Sequence, residues 1–474
     1  MVAEKTGHID SSGGHAQRPL AMSRHRFLML GASIVGVGML PFAQRKYAYA
    51  ASNVSTDDYS TPATRKDPTK HTQILQEMFT DPDLSPPYHF RLMPNRKDNG
   101  APLGWWVRMV SPWNPFPVKS SWTLTGGAAG ATSVDPAAGL YRYGLVHNGR
   151  IMFRNQDTEN GNSDIRFERV YVDGRKRAAA TVSGTNFGER DLTPAPRATK
   201  DPVNTFNINK HYYDIDVLQT FVRIGHNPNV EPIGWNYRVH FVECEVNNWP
   251  GISCEFRQVN DFDVSRNKIT SSHRGSLIFR LGARHGSVNN NTVENGGDDC
   301  IAFNGSVGFF ADALNTGGAL GVTLSGNTLG EKEGQDIREP AGARHRDGNS
   351  AIAIRHAEAS AENPVEVNDT TVTQTEDGYT DWEGGVHRAQ PAVEVSDRQG
   401  FTSRNVYIDG LVVQQGIDNK LVAPALWIPS PGVTGGINNG SCEEYTGPSC
   451  PWQIAPPEDL FYRTNLSPPE VCAP

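Results

Sequence analysis

Val259-Asn260-Asp261-Phe262-Asp263-Val264-Ser265-Arg266-Asn267-Lys268-Ile269, followed by Ser276-Leu277-Ile278-Phe279, decides the fold, because the chain then repeats it. Arg284-His285-Gly286-Ser287-Val288-Asn289-Asn290-Asn291-Thr292-Val293 leads in the same way to Cys300-Ile301-Ala302-Phe303. Leu320 to Leu329 leads, after an insertion, to Ala351-Ile352-Ala353-Ile354. Tyr237 to Asn247 leads to Ser253-Cys254-Glu255-Phe256 before these. After them, Val365-Glu366-Val367 and Thr371-Val372 lead to Ala392-Val393-Glu394-Val395. Asn405-Val406-Tyr407-Ile408 and Leu411-Val412-Val413 lead to Ala425-Leu426-Trp427-Ile428.

Each unit holds two or three strands of about four residues with turn residues between them. Asn267 and Asn291 stand 24 residues apart, and each precedes an apolar residue closely, as Asn327 does. A period of that size built from short strands marks a solenoid, and the near absence of helical periodicity excludes helical and leucine-rich repeats. The expected fold is all-β, a right-handed parallel β-helix. In such a stack, asparagines at equivalent turns can bond to one another and satisfy turn backbone groups. That structural ladder is the expected role of Asn267, Asn291 and Asn327.

The rest of the chain frames this solenoid. With 474 residues and 37% hydrophobic content it can bury a large core, and 47 Gly with 32 Pro suit a turn-rich β protein. A net charge of −8 argues against a general nucleic-acid role. Arg24-His25-Arg26 precedes an apolar stretch to Phe42, with Ala48-Tyr49-Ala50 as a small-residue cleavage site. Ser23 to Leu28 is similar to a twin-arginine export signal with His25 at the second arginine. Residues 1–50 are thus expected to be an extension and export signal, leaving a secreted protein with no membrane segment. The expected division continues with a Pro- and Trp-rich cap or small β module at 51–135, containing Trp105, Trp106, Trp113 and Trp122. The β-helix would occupy 136–430 and a Pro/Gly/Cys-rich tail 431–474. All six cysteines follow the signal, and an even count in an exported protein favours disulfides. Cys442 with Cys450 is the expected pair, and Cys244 with Cys254 a second. No Cys or His spacing suggests a structural metal.

Within the repeat, Asn295-Gly296-Gly297-Asp298-Asp299-Cys300-Ile301-Ala302-Phe303 carries the chemistry. Adjacent carboxylates repel, so a site that uses them or a cation that holds them is expected. Aligning Phe256, Phe279, Phe303, Ile354 and Val395 puts Arg257, Arg280, Asn304 and Arg355 in one column. It places Asp299 beside Gly275 and Ser350, and Asp298 beside Arg274 and Asn349. The two glycines make a turn before the strand plausible, and only there can both carboxylates face solvent.

Gly297-Asp298-Asp299-Cys300-Ile301-Ala302 resembles the motif of the polygalacturonase family of glycoside hydrolases, and β-helix families acting on dextran and α-1,3-glucan have a similar pair. Ile354-Arg355-His356, 56 residues after Asp299, resembles the family's substrate-binding Arg-Ile-Lys. The resemblance covers roughly residues 237–430 as architecture and implies inverting hydrolysis by aspartates. One would protonate the leaving oxygen and the others would activate water. The chain departs from it twice. Ser272-His273-Arg274-Gly275 stands where the family places another aspartate, and Gly321 to Leu329 contains no histidine where a Gly-His-Gly is expected. Inverting chemistry needs an acid and a base far enough apart to admit water. Two long insertions can supply the missing carboxylate, with Asp336 in one and Asp377, Asp381 and Glu383 in the other as candidates beside Asp298 and Asp299. His273, Arg274, Arg280, Arg355 and His356 are the candidate substrate-binding residues. Their arginines suit an anionic glycan or simply pair with the acids.

Three function classes follow. A glycoside hydrolase without cofactor, acting on a polysaccharide or oligosaccharide, fits the aspartates best. A lyase or epimerase would act on a uronate, with Arg274 or Arg280 as base or charge neutraliser and calcium on Asp298 and Asp299. A noncatalytic glycan-binding protein would bind without turnover.

Overall fold

The computed structural model describes residues 52–109, 115–143, 151–157, 159–174, 180–182, 185–187, 220–225, 234–249, 251–270, 272, 275–294, 299–305, 317–330, 350–374, 379–380, 386–387, 391–397, 401–415, 423–443, 445 and 450–474. The export signal, Trp113, His273, Arg274, Asp298, Asp336, Asp377, Asp381 and Glu383 lie outside the described residues.

The chain winds as a three-faced parallel β-helix. Strands Ile151–Asn155, Thr220–Ile224, Ile301–Asn304, Ile352–Ile354, Val393–Val395, Leu426–Ile428 and Trp452–Ile454 lie on the first face. Ser163–Glu168, Asn236–Val242, Ala319–Ser325, Val365–Asn368, Val406–Asp409, Gly435–Asn438 and Phe461–Thr464 lie on the second. Tyr171–Asp173, Glu245–Asn247, Lys268–Thr270, Thr292–Glu294, Thr328–Gly330, Thr371–Gln374 and Val412–Gln415 lie on the third. Two long strands, Ile252–Ser265 and Leu277–Asn289, run through both the first face and the second, with a register shift between Arg257 and Val259. Each strand pairs in parallel with its counterpart one coil away, roughly 4.8 Å along the axis.

Alternation along these strands builds the core. Phe256, Phe279 and Phe303 occupy one inward column, their rings stacked at 5.2 and 4.7 Å between centroids. Ile354 and Val395 continue that column, all of it buried. Each such side chain contributes about 1.5–3 kcal/mol when fully buried.

The turn from the second face to the third is the most regular part of the coil. From Glu168 onward it contains two residues in each coil. The first is left-handed: Arg169, Glu243, Arg266, Asn290, Gly326, Asp369, Gly410, Asn439 and Asn465 all have φ between 47° and 66°. The second includes the expected ladder. The Asn291 side-chain oxygen accepts from Asn267 N (3.1 Å) and Nδ2 (2.9 Å). The Asn327 oxygen accepts from Asn291 N (3.0 Å) and Nδ2 (3.1 Å). Asn267 in turn accepts from Cys244 N at 2.9 Å. All three asparagines are buried.

The Trp-rich segment adds coils rather than a separate β module. Ser52–Ser55, Tyr88–Leu92 and Trp122–Gly126 extend the second face through Ser163–Glu168, and Trp105–Arg108 begins the third. Trp105, Trp106 and Trp122 are buried. Helix Pro68–Thr80 starts at Asp67, whose carboxylate accepts from Thr69 N at 3.0 Å, with Pro68 at its first position. Its stripe of Ile74, Leu75, Met78 and Phe79 is buried, and Phe79 packs against Phe90, Phe116, Trp122 and Phe153. His71 on the same helix is wedged between two backbone groups, with Nδ1 accepting from Trp106 N (3.0 Å) and Nε2 donating to Arg65 O (2.9 Å). Burial pulls it down to about 4. In the C-terminal segment, Gly435–Asn438, Trp452–Ile454 and Phe461–Thr464 likewise continue the sheets.

The cysteine expectation is corrected. Cys450 pairs with Cys472, while Cys244, Cys254, Cys300 and Cys442 are buried and lie outside that disulfide. Cys244 and Cys254 point into the core, where burial raises both thiols, Cys244 to about 12.

Candidate functional site

Outward-facing residues of the first face form two columns. One runs Arg154, Arg223, Glu255, Ile278, Ala302, Ala353, Glu394, Trp427. The other runs Arg257, Arg280, Asn304, with Arg355 on the next coil donating from Nη1 to the Asn304 oxygen at 3.4 Å. The register read from the sequence is therefore correct at these positions.

Asp299 sits two residues before strand Ile301–Asn304 and ties three coils together. Its carbonyl accepts from Ser276 N (3.1 Å) on one side, and its carboxylate accepts from Ser350 N (3.1 Å) on the other. The same carboxylate takes a two-pronged contact from Arg355, with Nη1 to Oδ2 at 2.5 Å and Nη2 to Oδ1 at 3.1 Å. Arg355 uses its other edge on Glu394, with Nη2 to Oε2 at 2.8 Å and Nε to Oε2 at 3.1 Å. Glu394 Oε1 accepts from Ser396 Oγ at 2.6 Å. Asp299 is only 3% exposed, and Glu394 8%. Burial alone would lower Arg355, but Asp299 and Glu394 raise it well above the ordinary arginine range. The guanidinium already fills the space between them, so this pair does not fit a calcium site.

A second charged cluster lies toward the N-terminal coils of the same face. Glu255 accepts from Arg223 Nε (2.6 Å) and Arg257 Nη2 (2.7 Å), and Arg280 Nε lies 3.1 Å from it. Burial would raise Glu255, yet the three guanidiniums hold its carboxyl down to about 2. Burial pulls Arg257 down to about 10 despite Glu255. Between the two clusters, Ile252, Ile278, Ala302 and Ala353 form a small buried apolar patch.

No protein-family model matches this chain, and no curated protein matches it. Several solved structures are similar to it in architecture. The mannuronan C-5 epimerase AlgE4 A-module of Azotobacter vinelandii is 11% identical, with 87% of this chain and 99% of that one covered at a TM-score of 0.41. The catalytic unit of a GH87 α-1,3-glucanase from Streptomyces thermodiastaticus is 12% identical, with 90% and 68% covered at 0.36. A polygalacturonase from Erwinia carotovora is 10% identical, with 89% and 95% covered at 0.35. At these scores the likeness adds nothing about individual residues.

Of the residues singled out in the sequence, Asp299 and Arg355 come together. Asp299 is a buried, ion-paired carboxylate rather than a solvent-facing one. Arg280 pairs with Glu255. His356 is buried, with Nε2 3.2 Å from Glu358 Oε1 and its ring stacked on Phe401 at 4.7 Å. Burial lowers it despite Glu358. Sequence reasoning passed over Glu255 and Glu394. Each is the polar middle of an apolar trio, Cys254-Glu255-Phe256 and Val393-Glu394-Val395, and alternation alone points it outward.

Proposed function

We propose that the protein is a glycoside hydrolase that binds a polysaccharide along the first face of the solenoid. The observation that carries this reading is the meeting of Asp299 and Arg355, 56 residues apart in sequence, on one outward surface with Glu394. These are the two places where the chain resembles β-helix glycoside hydrolases. An opposite charge favours the ionised form of a carboxylate, so Asp299, held by Arg355, suits the water-activating side, while the acid has to stand far enough away to admit water. Arg355 positions Asp299 and leaves a small part of its own side chain accessible, 12%, for a substrate oxygen. Asp336, Asp377, Asp381 and Glu383 stay candidates for a completing carboxylate.

The protein acts outside the cytoplasm. The twin-arginine-like segment before Phe27 and the Cys450–Cys472 disulfide both support export. No helix among the described residues is long and apolar enough to cross a membrane.

Reducing-sugar release from a panel of neutral and uronate-containing glycans tests the reading. Asp299→Asn is expected to lower turnover by about 10²-fold or more, the scale of losing a positioned proton-transfer group. Unchanged turnover overturns it. Products that absorb as unsaturated uronates, without reducing-sugar release by hydrolysis, would make the protein a lyase instead.

A further inference from the structure

The second face presents a small aromatic platform, separate in its residues from the charged clusters of the first. Tyr407, Gly436 and Tyr462 occupy the same outward column on three successive coils. Gly436 provides no side chain, and the Tyr462 ring occupies that space: a Cβ at Gly436 would meet ring atoms at 2.2 Å. Tyr462 therefore lies flat on the sheet with one ring face against the glycine backbone. Its centroid is 6.1 Å from that of Tyr407, with only 29° between the planes. Tyr462 is 44% exposed, among the most exposed large apolar side chains described.

Polar groups border the rings. Asp409 stands two residues after Tyr407, and Asn438 two after Gly436, on the same outward side. Asp409 Oδ1 accepts from Asn438 Nδ2 (3.1 Å) and Asn439 Nδ2 (2.9 Å), so amides and a carboxylate are held at the surface beside the platform. Glu366 precedes Tyr407 in the column.

We propose that Tyr407 and Tyr462 form a binding site for a neutral glycan, stacking a sugar ring and leaving its hydroxyls to Asp409, Asn438 and Asn439. Two tyrosines present at most roughly 300–500 Å², short of the roughly 800 Å² per partner that a stable protein interface or dimer uses. A flat ring with hydrogen-bonding groups at its border matches a pyranose, which has an apolar C–H face and a polar edge. Asp409 and Glu366 make the surround acidic, which disfavours a polyanionic chain. This site goes beyond the hydrolase reading and stands without it, since no residue of the first face takes part.

Native gels of the whole protein containing dextran, a β-1,3-glucan or a galactomannan test it, with polygalacturonate as the anionic comparison. The expected result is retardation by at least one neutral polymer. Tyr462→Ala should weaken that affinity about tenfold, on the scale of losing a central aromatic anchor. Tyr462→Phe should hold it within about threefold because the ring remains. If Tyr462→Ala does not fold, Tyr407→Ala must show the same loss. Retardation by none of the neutral polymers, retardation by polygalacturonate alone, or undiminished binding in the alanine variant overturns the proposal. So does self-association in sedimentation that Tyr462→Ala abolishes, which would make the platform a dimer contact.

Discussion

Two sets of buried polar side chains run through this solenoid, and they differ in kind. The Asn267–Asn291–Asn327 ladder is neutral and repeats over three successive coils, each amide answering the next. The Asp299–Arg355–Glu394 cluster is charged and does not repeat; one coil earlier, Gly275, Asn304 and Ala353 stand at the equivalent positions. A periodic buried polar group serves the stack, because every coil needs the same turn satisfied. An aperiodic one places charge at a single level of the rod and costs desolvation there without helping its neighbours.

Four experiments would break or sharpen that contrast. Arg355→Met should have the largest effect, a loss of about 3–5 kcal/mol, since two buried carboxylates lose their shared cation. Denaturant titration measures it, and a loss below about 1 kcal/mol would mean that water already solvates Asp299 and Glu394. Asn291→Ala should cost roughly 3 kcal/mol by orphaning Asn267 N and Nδ2. That deficit should be the same at pH 7 and pH 3, because nothing in the ladder titrates.

Acid should also set two buried titratable groups elsewhere in the fold apart from the neutral ladder. Glu255 titrates at about 2 in the folded protein, below its ordinary 4.5. Its stabilisation is therefore complete above pH 4.5 and is lost as pH falls from there toward 2, by roughly 2–3 kcal/mol. Glu255→Gln should abolish that limb in a pH series of denaturation midpoints. His71 opens a higher window, because it is depressed from 6.5 to about 4 and its contribution is lost between those values as pH falls. The smallest effect expected is Ser396→Ala, about 1 kcal/mol from one donor withdrawn from Glu394. Calorimetry resolves it, and a null result would place Glu394 in contact with solvent.

The fold was legible because it depends on repetition. Phe256, Phe279 and Phe303 mark the register, and the asparagines mark the turn. Asp299 and Arg355 were legible as separate motif fragments. Their contact was not, since it depends on how far two side chains reach across adjacent coils. Glu394 escaped notice because a lone glutamate between valines looks like solvated strand polarity until the column facing it is known. The cysteine pairing was misjudged for a similar reason. The short spacing of Cys442 and Cys450 looked favourable, but Cys442 lies in the third-face sheet, while Cys450 and Cys472 come within 6.2 Å between Cα atoms.

The left-handed turn between the second and third faces has a further consequence for how such a molecule can change. Its two-residue length holds from Arg169-Val170 to Asn439-Gly440, so an added residue there would shift every side chain of the next strand to the wrong side. The connection from the third face back to the first obeys no such limit. It takes up four residues at one level, between Asn247 and Ile252, and more than twenty at another, between Gly330 and Ile352. Asp299 lies on that permissive edge. New loops can therefore be grafted beside it, and its specificity rewritten, while the opposite edge keeps the coils in step.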